Sequence, residues 1–309
     1  MSERTIAPAP ILGSHRYDRQ IRAFGQAAQR RLAELTVAVV GAGGGGSLVV
    51  QGLAHLGVSR LVIVDPDVVE STDLARLVGA TASDVGLPKV EVARRLVTSL
   101  APDAQVDAQQ ACVLDLATAA PTARSVLDGA DVLIGAVDRH APRWALNRLA
   151  VASSRLYLDI GVELSRTGPA GDLEAGGHVA IVRPGGACLR CQDGYDPTLA
   201  AREQDPLTRA ARRAAGYESS TSSPDTAASV LFLNQAVVAL ALAELVNEIS
   251  PWRAPATHLL LDLARHRLST LEATSDPRCP VCGPAASPPR TRPEPEADDG
   301  RGPRIGDLT

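Results

Sequence analysis

At 309 residues the chain has room for one large domain or two small ones. Hydrophobic content of 45% and charged content of 21% are ordinary for a globular protein, and a net charge of −4 provides no basic field, so nucleic acid is not an expected partner. Aromatic residues make up only 3%, so the core must be built from Ala, Val and Leu. No apolar run approaches the roughly 20 residues a membrane helix needs, and the N-terminus lacks a signal-peptide core. The expected location is cytoplasmic, with no membrane partner.

Residues 1–14 read as a flexible leader. A helix is expected over 15–35, where Arg16, Arg19 and Arg22 recur every third residue as on a solvated basic face. The stretch TVAVVGAGGGGS then organises the chain. Val37–Val40 is a β-branched run suited to a strand buried on both faces. Gly41, Gly43 and Gly46 fit G-x-G-x-x-G, with Gly44 inside the run, and a helix is expected over 47–56 with Gly57 as its cap. A second strand over 61–64 ends in Asp65, 19 residues after Gly46, where an acid commonly bonds a ribose hydroxyl. Glycines at the first turn of such a βαβ unit let a phosphate approach the backbone at a helix N-terminus. This identifies a nucleotide site but does not choose among NAD, FAD and ATP.

Beyond it, VDPDVVESTDLAR places Asp65, Asp67, Asp73 and Arg76 at or just past a strand end, where ligands of open α/β sheets bind. A helix is expected over 89–100, strands over 106–113, 130–137 and 156–160, and a helix carrying Arg143 and Asn147. Asp138 follows a strand end, and Cys112 reads as a small buried hydrophobe. The second half is Gly-rich, with antiparallel strands expected near 162–167 and 178–183 and a polar loop over 193–224 that would cover a substrate channel. A long helix over 226–249, a strand pair over 259–263 and 266–272, and a disordered tail over 286–309 complete the reading.

Two compositional facts carry chemistry. Lys89 is the only lysine among 31 basic residues, and such isolation marks either a place for a compact ammonium or a stray surface residue. Cys188, Cys191, Cys279 and Cys282 form two C-x-x-C pairs, which read as a closed four-thiolate zinc site that staples the C-terminal segment, with a redox disulfide as the rival.

Taken in order, RYDRQ at 16–20, GAGGGGS at 41–47, VDPDVVE at 64–70, DLAR at 73–76, DVGLPK at 84–89, the strand end at Asp138 and the cysteine pairs resemble the ThiF/MoeB/ubiquitin-activating superfamily of ATP-dependent adenylyltransferases. The likeness runs from about residue 16 to 283 and implies one adenylation domain over 15–285, with a nucleotide half at 36–160 and a zinc and substrate half at 161–285. The implied fold is α/β and Rossmann-like, mostly parallel with an antiparallel extension. Implied ligands are ATP, Mg2+ and structural Zn2+. In this likeness the glycines cradle phosphate, Asp65 holds ribose, and Arg76 and Lys89 contact phosphates. Asp138 handles magnesium, and Arg19 crosses a homodimer into the partner's site. The implied substrate is the C-terminal Gly of a ubiquitin-like or sulfur-carrier protein, a peptide, or a small carboxylic acid.

The sequence departs from the family at two positions. Asp73 stands where the family usually has Asn, and Arg139 where many members have Asn. Members that form thioesters use a Cys between the two cysteine pairs, and residues 192–278 contain none, so adenylation without a catalytic-cysteine thioester is expected. The rival readings are a catalytically silent nucleotide-binding scaffold and an NAD-dependent oxidoreductase.

Overall fold

The computed structural model describes residues 15–118, 126–167, 171–205, 207–208 and 228–284. The leader, the tail and most of the 193–224 loop lie outside the described residues. Eight strands form one sheet in the order β3-β2-β1-β4-β5-β6-β7-β8. Five run parallel: β1 (Thr36–Val40), β2 (Arg60–Val64), β3 (Gln105–Gln109), β4 (Val132–Gly135) and β5 (Leu156–Thr167). Antiparallel pairing then adds β6 (Asp172–Val182), β7 (His258–Asp262) and β8 (Arg267–Leu271). The expected pieces at 162–167 and 178–183 are parts of these two longer strands, because β5 continues past the parallel sheet and pairs with β6 from Tyr157 to Thr167.

The sheet is covered on both faces. One core joins β1, β2, β4 and β5 to α1 (Asp18–Glu34), α2 (Gly44–Leu56), α3 (Lys89–Leu100) and α7 (Leu231–Ile249), through residues such as Leu32, Val39, Leu53, Ile63, Val97 and Leu245. The other packs Val40, Leu133, Tyr157 and Ala180 against Leu146 of α5 (His140–Ser153) and the cysteine segment. α4 (Val113–Thr118) and α6 (Pro197–Gln204) are short additions on the latter side.

Several boundaries differ from the sequence reading for local reasons. The N-terminal helix is kinked at Gly25 (φ 86°) and preceded by one 3-10 turn, His15–Tyr17. α2 begins at Gly44 rather than at 47, because the glycines themselves form its first turn, and Gly57 closes it in the left-handed region at φ 89°. β3 stops at Gln109, which leaves Cys112 half-buried against Leu114 and Ala145. α7, at 19 residues, is long and apolar enough to cross a membrane, contrary to the composition reading. It is a core helix: Leu233, Val237, Ala241 and Leu245 are buried, and so are the polar Asn234, Glu244 and Asn247.

Candidate functional site

The strand order reverses between β1 and β4, and the glycine turn sits at this switch point. Gly41 adopts φ +93°, and a Cβ there would lie 2.3 Å from the carbonyl oxygen of Ala136. At Gly46 a Cβ would meet the oxygen of Gly41 at 1.8 Å, so no side chain fits where the turn folds onto its helix. Gly43 is the N-cap of α2 and supplies no capping side chain. The first N–H groups of α2 therefore face outward without a side-chain acceptor, at the positive end of the helix dipole.

Asp65 braces the turn: its Oδ2 accepts from the Ala42 N–H at 2.6 Å and its Oδ1 from the Asp67 N–H at 2.8 Å. Burial, with the Asp67 charge adding, pushes its pKa up to about 6 against the pull of Lys89 and the two amides. Lys89 opens α3, where its N–H donates to the Asp67 carbonyl at 3.0 Å. Its ammonium is buried, 3.3 Å from Asp67 and 3.4 Å from Asp73. Burial depresses its pKa, but the charges of Asp67, Asp65 and Asp73 outweigh this and raise it, so it stays an ammonium. The stray-surface reading of the lone lysine is thereby excluded. Burial likewise raises Asp67, opposed by Lys89 and reinforced by Asp138 and Asp73.

Asp73 is fully buried: Oδ1 pairs with Arg76 at 3.0 Å and Oδ2 accepts from the Glu70 N–H at 3.1 Å. Arg76 lies over the glycine turn, its Cδ 3.3 Å from where a Cβ of Gly44 would stand. Asp138 is exposed at the end of the β4 segment. Arg139, the second departure, turns to Glu203 of α6 at 3.8 Å, and the same carboxylate accepts from the Ala141 N–H at 2.8 Å. The structure thus brings together Gly41, Gly43, Gly44, Gly46, Asp65, Asp67, Asp73, Arg76, Lys89 and Asp138. It does not bring Arg19 there. Next to it, Gln20 bonds the His55 carbonyl at 2.7 Å, at the far end of α2, which is about 20 Å long.

The four cysteines converge as read. Sulfur separations are 3.9 Å for Cys188–Cys191, 3.7 Å for Cys188–Cys279 and 3.5 Å for Cys191–Cys282. Disulfides at about 2.05 Å are excluded. Metal–sulfur bonds of about 2.3 Å imply a tetrahedral edge of about 3.8 Å, which these distances match. The buried Asn147 accepts from the Leu189 N–H at 2.8 Å and so ties this knuckle to α5.

The sequence reading missed two features. Asn234 of α7 is buried beside Gly44, its amide bonded to Ser229 and Val230. A lone acid in the apolar run LYLDI, Asp159, is fully buried and joined to Tyr157, His178 and Arg143. That lone acid was the available signal.

A doubly wound parallel sheet, a glycine turn with free helix amides at its switch point and a charged cluster beside it define a nucleotide-binding α/β domain, here with a cluster of four thiols attached that could hold a metal ion. The chain belongs to the ThiF family, which matches residues 17–281. It is 41% identical over 134 residues to the SAMP-activating enzyme E1 of Haloferax volcanii, covering 43% of this chain and 48% of that protein. It is 30% identical over 274 residues to the sulfur carrier protein adenylyltransferase of Thermus thermophilus, covering 87% and 90%. The chain spans about half the length of the first of these relatives, as it does of the ubiquitin-like modifier-activating enzyme 5 of Drosophila willistoni, where the share is 43%. Its fold matches the crystal structure of E. coli MccB with MccA-N7isoASN at a TM-score of 0.68 and 20% identity, over 87% of this chain and 75% of that one.

Proposed function

We propose that the protein is an ATP-dependent adenylyltransferase that joins a carboxylate to the α-phosphate of ATP and releases pyrophosphate. The observation that carries this is the buried Lys89 ammonium, held with Arg76 beside the open N-terminus of α2. The helix amides and these two cations neutralise charge on the phosphates as the α-phosphorus is attacked. The ionised Asp65 accepts from the ribose hydroxyls. Asp138 and Asp67 would hold Mg2+, which when bound adds positive charge at the phosphates. Zn2+ suits the four-thiolate set and would fasten the segment after β8 to α5, in keeping with a reducing cytoplasm.

The substrate class is the C-terminal Gly of a ubiquitin-like or sulfur-carrier protein, a peptide, or a small acid. It is supported by what the relatives are named for and by MccA in the structural neighbour. Residues 192–278 hold no cysteine, so the acyl adenylate passes directly to a nucleophile. Arg19 works across a homodimer. It lies a helix length from its own glycine turn, and an apolar groove of about 570 Å³ beside it, with Phe24, Leu56, Leu242 and Trp252, offers a face for a second copy.

The test is a calorimetric titration of Mg-ATP into the parent, Lys89→Ala and Asp138→Ala, followed by pyrophosphate exchange with candidate carboxylates. Binding in the parent that weakens in both variants, with exchange, is the expected result. Absence of binding in the parent overturns it and favours a catalytically silent scaffold, the reading to which the engagement of both cations by Asp73 lends its support.

A further inference from the structure

A second cleft, of about 690 Å³, opens on the α5 side of the sheet between His140, Arg143, His178, Tyr195 and His258. It adjoins the nucleotide cluster: Arg143 donates through Nη2 to the carbonyl of Val137, the residue before Asp138, at 3.2 Å. Its other wall is the segment after the first cysteine pair, where Arg143 also donates to the Gly194 carbonyl at 3.3 Å. None of the adenylation roles above uses the polar groups inside it.

Those groups form an ordered set. Asp159 sits in register with Gly135 of β4, two strands from β1. Its Oδ1 accepts from the Tyr157 hydroxyl at 2.6 Å, and its Oδ2 lies 3.0 Å from Nε2 of His178 and 3.5 Å from Arg143. Burial alone would raise its pKa; the Arg143 charge and the bonds from His178 and Tyr157 prevail and lower it, so it is a carboxylate. A carboxylate only accepts, so the neutral imidazole carries its hydrogen on Nε2 and keeps its lone pair on Nδ1. The His178 side chain is 20% exposed toward the cleft, and Nδ1 has no hydrogen-bond partner among the described residues. Gly161 makes room for it and for the Arg143 guanidinium near it, since a Cβ there would stand 2.4 Å from Cε1, 2.7 Å from Arg143 Nη2 and 2.9 Å from Nδ1. The His258 ring packs edge-on at 5.6 Å and fixes the other side.

We propose that His178, oriented by Asp159, is the general base of the second half-reaction, taking a proton from an amine nucleophile as its nitrogen attacks the carbonyl carbon of the acyl adenylate. This rests on the adenylation reading. The N–C bond forms, the bond from that carbon to the phosphate oxygen breaks with its electron pair leaving on AMP, and the amine proton passes to Nδ1. Asp159 then faces the imidazolium. A thiol ionises near neutrality and attacks without such help, whereas an attacking amine must shed a proton as the amide forms. The dyad therefore favours a neutral nucleophile that must shed a proton over a thiol, and of these the inferred acceptor is an amine.

Synthetic N-acetylglycyl adenylate and methylamine probe this step without the natural substrate. The parent is expected to accelerate amide formation. H178Q should lose about 100-fold while binding Mg-ATP as the parent does. H178A should regain rate when imidazole is added to the buffer, which a purely structural role would not produce. Parental rates in H178Q, no rescue of H178A, or no acceleration by the parent overturns the proposal. Mg-ATP binding separates the two failures: intact binding with failed aminolysis removes only the base, whereas its absence in the parent removes the adenylation reading as well.

Discussion

Lys89 and Asp73 face each other across 3.4 Å in the interior, and Arg76 closes on the opposite oxygen of the same carboxylate at 3.0 Å. The acid that replaces the family's usual Asn is thus no bare charge beside a triphosphate. It is a brace that holds Lys89 and Arg76 in place while drawing off part of their field.

Asp73→Asn should therefore tighten Mg-ATP, by about tenfold, because the amide keeps an acceptor for the Glu70 N–H while releasing positive potential toward the phosphates. Asp73→Ala should behave oppositely toward stability. It strips a partner from two buried or half-buried cations and is expected to cost about 3 kcal/mol, read as a lowered denaturation midpoint. Weaker nucleotide binding in Asp73→Asn, measured by calorimetry, would mean that holding the two cations in place outweighs the field that Asp73 draws off.

Because Lys89 is the only lysine, an amine-reactive adenine nucleotide analogue, applied at alkaline pH to free part of its ammonium, should label one side chain. Mass spectrometry of the digest should find the label on Lys89, and Mg-ATP should protect it. Lys89→Ala should lower pyrophosphate exchange by roughly 10²–10³. Labelling that ATP leaves unchanged would place the nucleotide elsewhere.

Much of this site was legible because its signals are local. A glycine turn between a β-branched run and a helix fixes the switch point, and C-x-x-C pairs state their own geometry. α3 runs over Lys89–Leu100 as expected, and Pro88 at its N-cap disfavours helix in the residue before it. Asp159 was not legible as part of a dyad, since His178 lies on the next strand and Arg143 on a helix of the opposite layer. Nor could spacing reveal that Arg139 pairs with Glu203. These contacts are tertiary, made between strand and strand, strand and helix, or helix and helix, and no periodicity encodes them.

The raised pKa of Asp65, about 6, sets a pH dependence. Its folded value exceeds the unfolded 3.8, so the native state holds the proton more tightly, and this residue's contribution to stability declines as pH rises from about 4 to 6. With Asp65 in the proposed ribose-binding role, nucleotide binding runs the other way, since the ionised carboxylate is the better acceptor for ribose hydroxyls. Mg-ATP affinity should fall below pH 6, approaching tenfold per unit. Asp65→Asn should bind more weakly at pH 7.5 and lose most of that pH dependence; an unchanged slope would mean another group titrates.

Elemental analysis should find one zinc per chain. Cys191→Ser or Cys282→Ser should release it and lower the unfolding temperature, since the site ties the segment after β8 to α5. A closed site does no chemistry, so variants still folded at low temperature should bind Mg-ATP with parental affinity. Loss of nucleotide binding without any loss of structure would give the metal a role beyond the staple.

Arg19 offers the sharpest test of assembly, because its neighbour Gln20 bonds His55 at the end of α2 far from the glycine turn. If each site uses Lys89 of one subunit and the opposite subunit's Arg19, then Arg19→Ala and Lys89→Ala homodimers should both be nearly inactive in pyrophosphate exchange. Co-refolded in equal amounts, half of the dimers would be mixed. Each mixed dimer holds one site with both residues intact and one with neither. About a quarter of parental activity should return, since half the dimers carry one working site of two. Were Arg19 to act within its own subunit, no combination would assemble a complete site and mixing would restore nothing.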